Sequence, residues 1–181
     1  MAKKSQTKSN CKKFPSAKET KTTVNKDGVP EYIEGIPTNR EAISERKNLI
    51  IKYYNDLWKR LQREVNSNYI YNEYWQANIH IVKNESDKKT KNVAVFKWQS
   101  AYAVKHLYEV VKKAKVINDN IEIDSPKDGT QKKNGYKRIL ILYHNFTNSE
   151  HSYLNFTVKL TIGIKADNKH VQYAVNSIDI K

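Results

Sequence analysis

The chain has 181 residues, room for one ordinary domain with tails and too few for two comfortable ones. Its 33 Lys and Arg against 19 Asp and Glu leave a net charge of +14 and an isoelectric point near 9.6, which favours polyanions over acidic small substrates, although a lysine-heavy composition alone also raises charge. Cys11 is the single cysteine, so an intramolecular disulfide and a cysteine-built zinc site are excluded, and no run approaches the ~18 apolar residues of a membrane span.

Residues 1–30 carry eight lysines against Glu19 and Asp27, with Ser, Thr, Asn and Gln between them. Such a segment buries too little apolar area to offset the entropy of ordering, so a disordered basic arm is expected. No apolar run follows its first lysines, which predicts a soluble, cytoplasmic protein without a signal peptide. Residues 31–37, EYIEGIP, form a connector with two apolar anchors. Thr38-Asn39-Arg40-Glu41 reads as a capping box, a Thr hydroxyl taking the N3 amide while a Glu reaches back to the N-cap amide. Behind it Ile43, Ile50, Tyr54, Leu57, Leu61 and Val65 recur at helical spacing, which predicts a helix over 38–66 with one apolar stripe. Tyr53, Trp58, Tyr69, Tyr71, Tyr74 and Trp75, interleaved with Lys52, Lys59, Arg60 and Arg63, suit stacking on bases but more often form the rim of a core.

Two short alternating runs, 77–83 and 92–98, flank the charged stretch NESDKKTKN and read as a hairpin. Ser100 then precedes AYAVKHLYEVVKKAK, a helix with Val104, Leu107, Tyr108 and Val111 inward and Lys105, Lys112 and Lys113 outward, followed by a short strand at 115–118. Residues 121–135, with Pro126, Gly129 and Gly135, read as a polar loop. Runs 136–146, 153–165 and 170–180 alternate long enough for an antiparallel meander. In the second run Phe156, Val158, Leu160, Ile162 and Ile164 fall on one face, and Asn155, Thr157, Lys159, Thr161 and Lys165 on the other. The first face is expected to build a core and the second to stay wet, polar and basic. The expected fold is α+β: an antiparallel four- to five-stranded sheet packed on two helices. It is one domain over 31–181 behind the arm, with a helix-plus-meander over 92–181.

The five glycines cannot assemble a phosphate-cradling loop, no two histidines four apart flank a glutamate, and no serine sits in a nucleophile elbow. ATPases, dehydrogenases, common zinc hydrolases and α/β-hydrolases drop out. His106-Leu107, Lys113-Ala114-Lys115-Val116-Ile117, the strand from Arg138 to Tyr143, and Val158-Lys159-Leu160-Thr161-Ile162 stand in the order strand, helix, polar loop, three strands. Over roughly half the chain this order resembles domains of large polyvalent proteins of phages and mobile elements, within the barnase, EndoU, colicin and RelE class of ribonuclease-like folds. The resemblance implies RNA cleavage without metal or cofactor, in which a base takes the 2′-hydroxyl proton, an acid protonates the leaving oxygen and cations stabilise the phosphorane.

This reading assigns His106, His144, Arg138 and Lys159 to catalysis, and Lys97, Lys105, Arg138, Thr157 and Lys159 to nucleic-acid contacts. Arg138 and His144 are an even number apart and share a strand face, with Tyr143 on the other. Each residue also has a plainer role. His106 borders an apolar stripe as a surface histidine would, and His144 lies between Leu142 and Phe146 as a satisfied imidazole would. Arg138 and Lys159 could be solvated charges. No glutamate stands on the sheet runs where a catalytic base is wanted. The expectation is therefore an RNA-binding domain with endoribonuclease activity. The alternative is a non-catalytic module that docks on nucleic acid or protein, such as a phage-encoded inhibitor.

Overall fold

The structure, a computed structural model, describes residues 23–117 and 119–178. In chain order these form β1 (Tyr32–Ile33), β2 (Ile36–Pro37), α1 (Ile43–Val65), β3 (Tyr69–Asn72), β4 (Ala77–His80), α2 (Ser86–Val93), α3 (Trp98–Lys105) and α4 (Leu107–Lys113). Then follow β5 (Glu122–Asp124), α5 (Gly129–Lys133), β6 (Tyr136–Phe146), β7 (Phe156–Lys165) and β8 (His170–Ile178). The fold is α+β. One sheet is mixed and six-stranded, in the order β3-β4-β8-β7-β6-β5, with β4 and β8 parallel and every other pair antiparallel; β1 and β2 form a separate hairpin. Among the described residues no helix is long and apolar enough to cross a membrane.

The three long runs become β6, β7 and β8, paired as a meander. Leu140, Leu142, Val158, Leu160, Ile162, Ile164 and Val175 form the inner face and pack with Ile50, Tyr54, Ala101, Val104, Leu107 and Val111 from the helices. The outer face departs from the expectation of a wet, basic surface. Tyr136, Ile139, Ile141, Val171, Tyr173 and Ala174 make a second cluster there, and Thr157 and Thr161 are buried. A bulge opposite Thr161 and Ile162 contributes, because the extra residue in β8 turns Gln172 inward while Tyr173 joins the outer cluster. The ring of Tyr136 crosses Gly163 so closely that a Cβ there would lie 2.5 Å from it. Asp128, the N-cap of α5, accepts from the Tyr173 hydroxyl and ties the α5 segment to this face.

Two expected elements change identity. Residues 86–93 are a helix, and 92–98 are no strand, so the expected hairpin over 77–98 is absent; β4 pairs with β3 and β8 instead. On the β4 side, β8 has no strand partner beyond Val171, and that edge is closed by helical hydroxyls. Thr90 Oγ1 accepts from the Val175 amide at 3.3 Å, and Ser100 Oγ from the Ser177 amide at 2.7 Å. The apolar stripe of α1 joins this layer through Tyr54, whose Oη donates to Gln172 Oε1 at 2.9 Å and lies 3.0 Å from Thr90 Oγ1. The helix expected over 100–114 is also two helices, parted at His106, and the expected loop 121–135 contains β5 and α5.

The N-terminal connector carries more structure than its composition suggests. Residues 1–22 of the expected arm lie outside the described residues, but 23–30 fold, with Val24 bridging Pro30 and the Asn25 side chain accepting from the amides of Asp27 and Val29. Thr38 does not cap α1, which starts at Ile43; its hydroxyl donates to Pro30 O. The buried guanidinium of Arg46 holds the connector down, donating to the carbonyls of Val95, Pro37, Asn39 and Arg40. Each acceptor replaces water that the charge has lost. This clamp positions the β1–β2 turn against α3.

Candidate functional site

The β1–β2 hairpin turns through Glu34 and Gly35, both at positive φ (50° and 82°), the two-residue geometry whose twist matches antiparallel strands. Glycine adopts this conformation freely; glutamate does so at a cost of order 1 kcal/mol. The turn carries the Glu34 carboxylate to the break between α3 and α4, where three side chains converge on it. Tyr102 Oη donates to Oε1 at 3.2 Å, Lys105 Nζ donates to Oε2 at 2.7 Å, and His106 Nε2 lies 3.1 Å from Oε2. Lys105 also donates to the Glu34 carbonyl at 2.9 Å.

Local packing fixes this geometry. His106 leaves helical backbone for one residue (φ −99°, ψ 23°), and its ring lies against Tyr102, tilted by 39° at a centroid distance of 4.4 Å. Tyr102 rests on an aromatic floor of Trp98, Phe146 and Phe156, all edge-on to it at 5.3–6.5 Å. Burial alone would raise the Glu34 carboxyl, but the Lys105 hydrogen bond and the charges of His106 and Lys105 outweigh it and hold the group below the usual carboxylate range. Burial, with the Glu34 charge beside it, pushes the Tyr102 phenol up to about 12, so it stays a donor at neutral pH.

The sequence-predicted residues do not all meet here. His106 and Lys105 do. Arg138 and His144 share the inner face, opposite Ile164 and Val158, but stand six residues apart along β6, about 20 Å. Lys159 pairs with Tyr143 on the outer face, so Arg138, His144 and Lys159 form no common site. Arg138 donates to Asn168 Oδ1 at the far end of the sheet. Thr157 is buried, its hydroxyl donating to Asn145, and does not offer itself to a partner. Lys97 stands at the N-terminus of α3. His144 is half-buried and edge-on to Phe146 at 4.8 Å; burial and the nearby Lys113 charge lower its pKa against the opposing pull of Glu109. His151 stacks on Tyr153, and His170 accepts from the Trp75 indole.

Glu34 is the residue that reasoning from the sheet runs missed. The available signal was Glu-Gly between the apolar pairs Tyr32-Ile33 and Ile36-Pro37, a hairpin pattern too short to stand out. Among the described residues no group of three or more His, Cys, Asp or Glu side chains is placed to hold a metal ion. Comparison with protein-family models, with curated proteins and with solved structures gives no match.

Proposed function

We propose that this protein binds RNA and cleaves its backbone by acid–base chemistry at Glu34, Lys105 and His106. The observation that carries the reading is the convergence of a carboxylate, an imidazole and an ammonium at one solvent-reached point of a chain with net charge +14. The Glu34 contact engages Nε2 of His106 and leaves Nδ1 as the basic nitrogen, the arrangement by which a carboxylate selects an imidazole tautomer. His106 Nδ1 takes the proton of a ribose 2′-hydroxyl, and the 2′ oxygen attacks the adjacent phosphorus. The 5′ oxygen leaves with a proton from Lys105, whose charge also offsets that of the phosphorane. The products are a 2′,3′-cyclic phosphate and a 5′-hydroxyl end. The sequence resemblance to ribonuclease-like domains supports the same chemistry.

Transfer RNA and ribosomal RNA incubated with the protein in chelator, with fragment ends analysed, test this. Cyclic phosphate ends are expected, and His106→Ala is expected to lower the rate by ~10²–10⁴ with little change in melting temperature. Undiminished cleavage in that variant, or none by the wild type, overturns the assignment. One observation favours the non-catalytic docking module instead: both oxygens of Glu34 already accept from within the chain, as in a clamp joining the hairpin to the helices. In that reading RNA or a protein partner binds and is not cut.

A further inference from the structure

A second cationic recess lies at the opposite end of α4. A cavity of about 260 Å³ opens where the chain leaving α4 diverges from β6, and Lys113, Lys115, Tyr143, His144 and Asn145 line it. Lys115 and Tyr143 exchange backbone hydrogen bonds at 2.8 and 2.7 Å, which turns the Tyr143 amide to the outer edge of the sheet. The two-residue period turns the Asn145 amide the same way, toward the recess. Beyond this bridge the chain opposite is already helical and diverges from the strand.

The charge balance of the recess favours an anion. Lys113 and Lys115 bring two ammonium groups, and His144, whose pKa is lowered by burial and the Lys113 charge, brings an imidazole as a hydrogen-bonding partner. The opposing carboxylates are Glu109, 3.0 Å from Lys113, which is therefore partly engaged, and Glu122, which accepts from the Tyr143 hydroxyl at 2.7 Å. The end of α4 would otherwise aim negative carbonyls here, but those of Val111, Lys112 and Ala114 are occupied. Asn72 Nδ2 donates to Val111 O and Ala114 O at 2.6 and 2.9 Å, and the Glu73 amide to Lys112 O at 2.9 Å.

The recess and the Glu34 site are joined by one ring. Phe146 has its centroid 6.2 Å from His106 and 4.8 Å from His144. Helix α4 separates Lys105 and His106 at its start from Lys113 at its end by about 10 Å, a distance a short RNA strand spans. We propose that Lys113, Lys115, His144 and Asn145 form a phosphate subsite that holds the backbone of a single RNA strand one or two nucleotides from the scissile position. This rests on the RNA reading above and extends it.

Two measurements test it. In the first, inorganic phosphate is titrated at constant ionic strength against chloride while the His144 imidazole is followed by NMR. A saturable shift confined to His144, and absent from the Lys113→Gln, Lys115→Gln double variant, is expected; a response equal to that of exposed His151, or to chloride, overturns the subsite. In the second, affinities for a dinucleotide and a tetranucleotide are compared. The wild type is expected to gain at least tenfold from the added length and the double variant to lose that gain, with its salt slope lower by ~0.7 per lost phosphate contact. An equal gain in both proteins overturns the subsite alone, whereas binding of neither length by the wild type overturns the RNA reading and the strand assignment with it.

Discussion

Glu34 shows how one residue can join two elements at some local cost. Its backbone sits at φ 50°, where a side chain is disfavoured, and its carboxylate regains the difference through Tyr102, Lys105 and His106. Those donors favour the ionised form, so the folded-state pKa lies below the ordinary 4.5. For a carboxylate depressed in this way the stabilisation is complete above the unfolded value and is lost as pH falls through the folded one. Glu34→Gln keeps the shape and removes the charge. Thermal melts are therefore expected to show the wild type ahead of the variant at neutral pH, with the gap closing as the pH drops below ~4.5. A gap that stays constant with pH would mean that the ionised carboxylate contributes nothing to holding the hairpin. Histidine identity alone could not reveal this site, since His106 reads as a surface residue until the distant Glu34 is brought beside it.

At the level of elements, α2 carries the clearest lesson. Its sequence, SDKKTKNV, has no apolar stripe, because its buried positions are Ser86 and Thr90, which serve an edge and not an oily core. Hydrophobic periodicity therefore had nothing to detect, and the segment read as a turn. The meander was legible for the opposite reason: Leu140 and Leu142, then Val158, Leu160 and Ile162, alternate on strands long enough to show the period. What alternation could not show was that the outer face would also be covered, since Gly163 and Tyr136 make a close contact across two strands whose register sequence does not reveal. The role given to α2 is testable. Thr90→Val preserves shape but leaves the Val175 amide and Gln172 Nε2 without the acceptor they share. A loss of about 1–3 kcal/mol is expected by denaturant titration, with faster hydrogen exchange at Val175 than at Leu160. Unchanged stability would show that the edge of β8 finds another acceptor.

For the whole molecule, the proposed RNA binding raises the question of which part of the positive charge would meet the polyanion. Residues 1–22 hold seven lysines and one glutamate, +6 of the +14, so the rest of the chain carries +8. Several of its cations are committed to internal pairs: Lys127 with Asp124, Lys165 with Glu85, Arg60 with Glu64. Such pairs lower the number of phosphates the surface can neutralise without changing the net charge, and binding follows contacts more closely than formal charge. If the RNA reading proposed above holds, the two clusters flanking α4 give the domain at least two phosphate positions. Binding of an unstructured RNA by the protein lacking residues 1–22 is accordingly expected to weaken with salt at a slope of at least ~1.4 in log K against log salt, two contacts at ~0.7 each, and the full chain to be steeper. Truncation at residue 22 is the informative place because Val24 and Asn25 already belong to the fold, and cutting at 30 would strip the turn that receives Thr38. If the truncated protein binds no RNA even at low salt, the lysine-rich segment alone carries the affinity, and the clusters at either end of α4 are structural clamps.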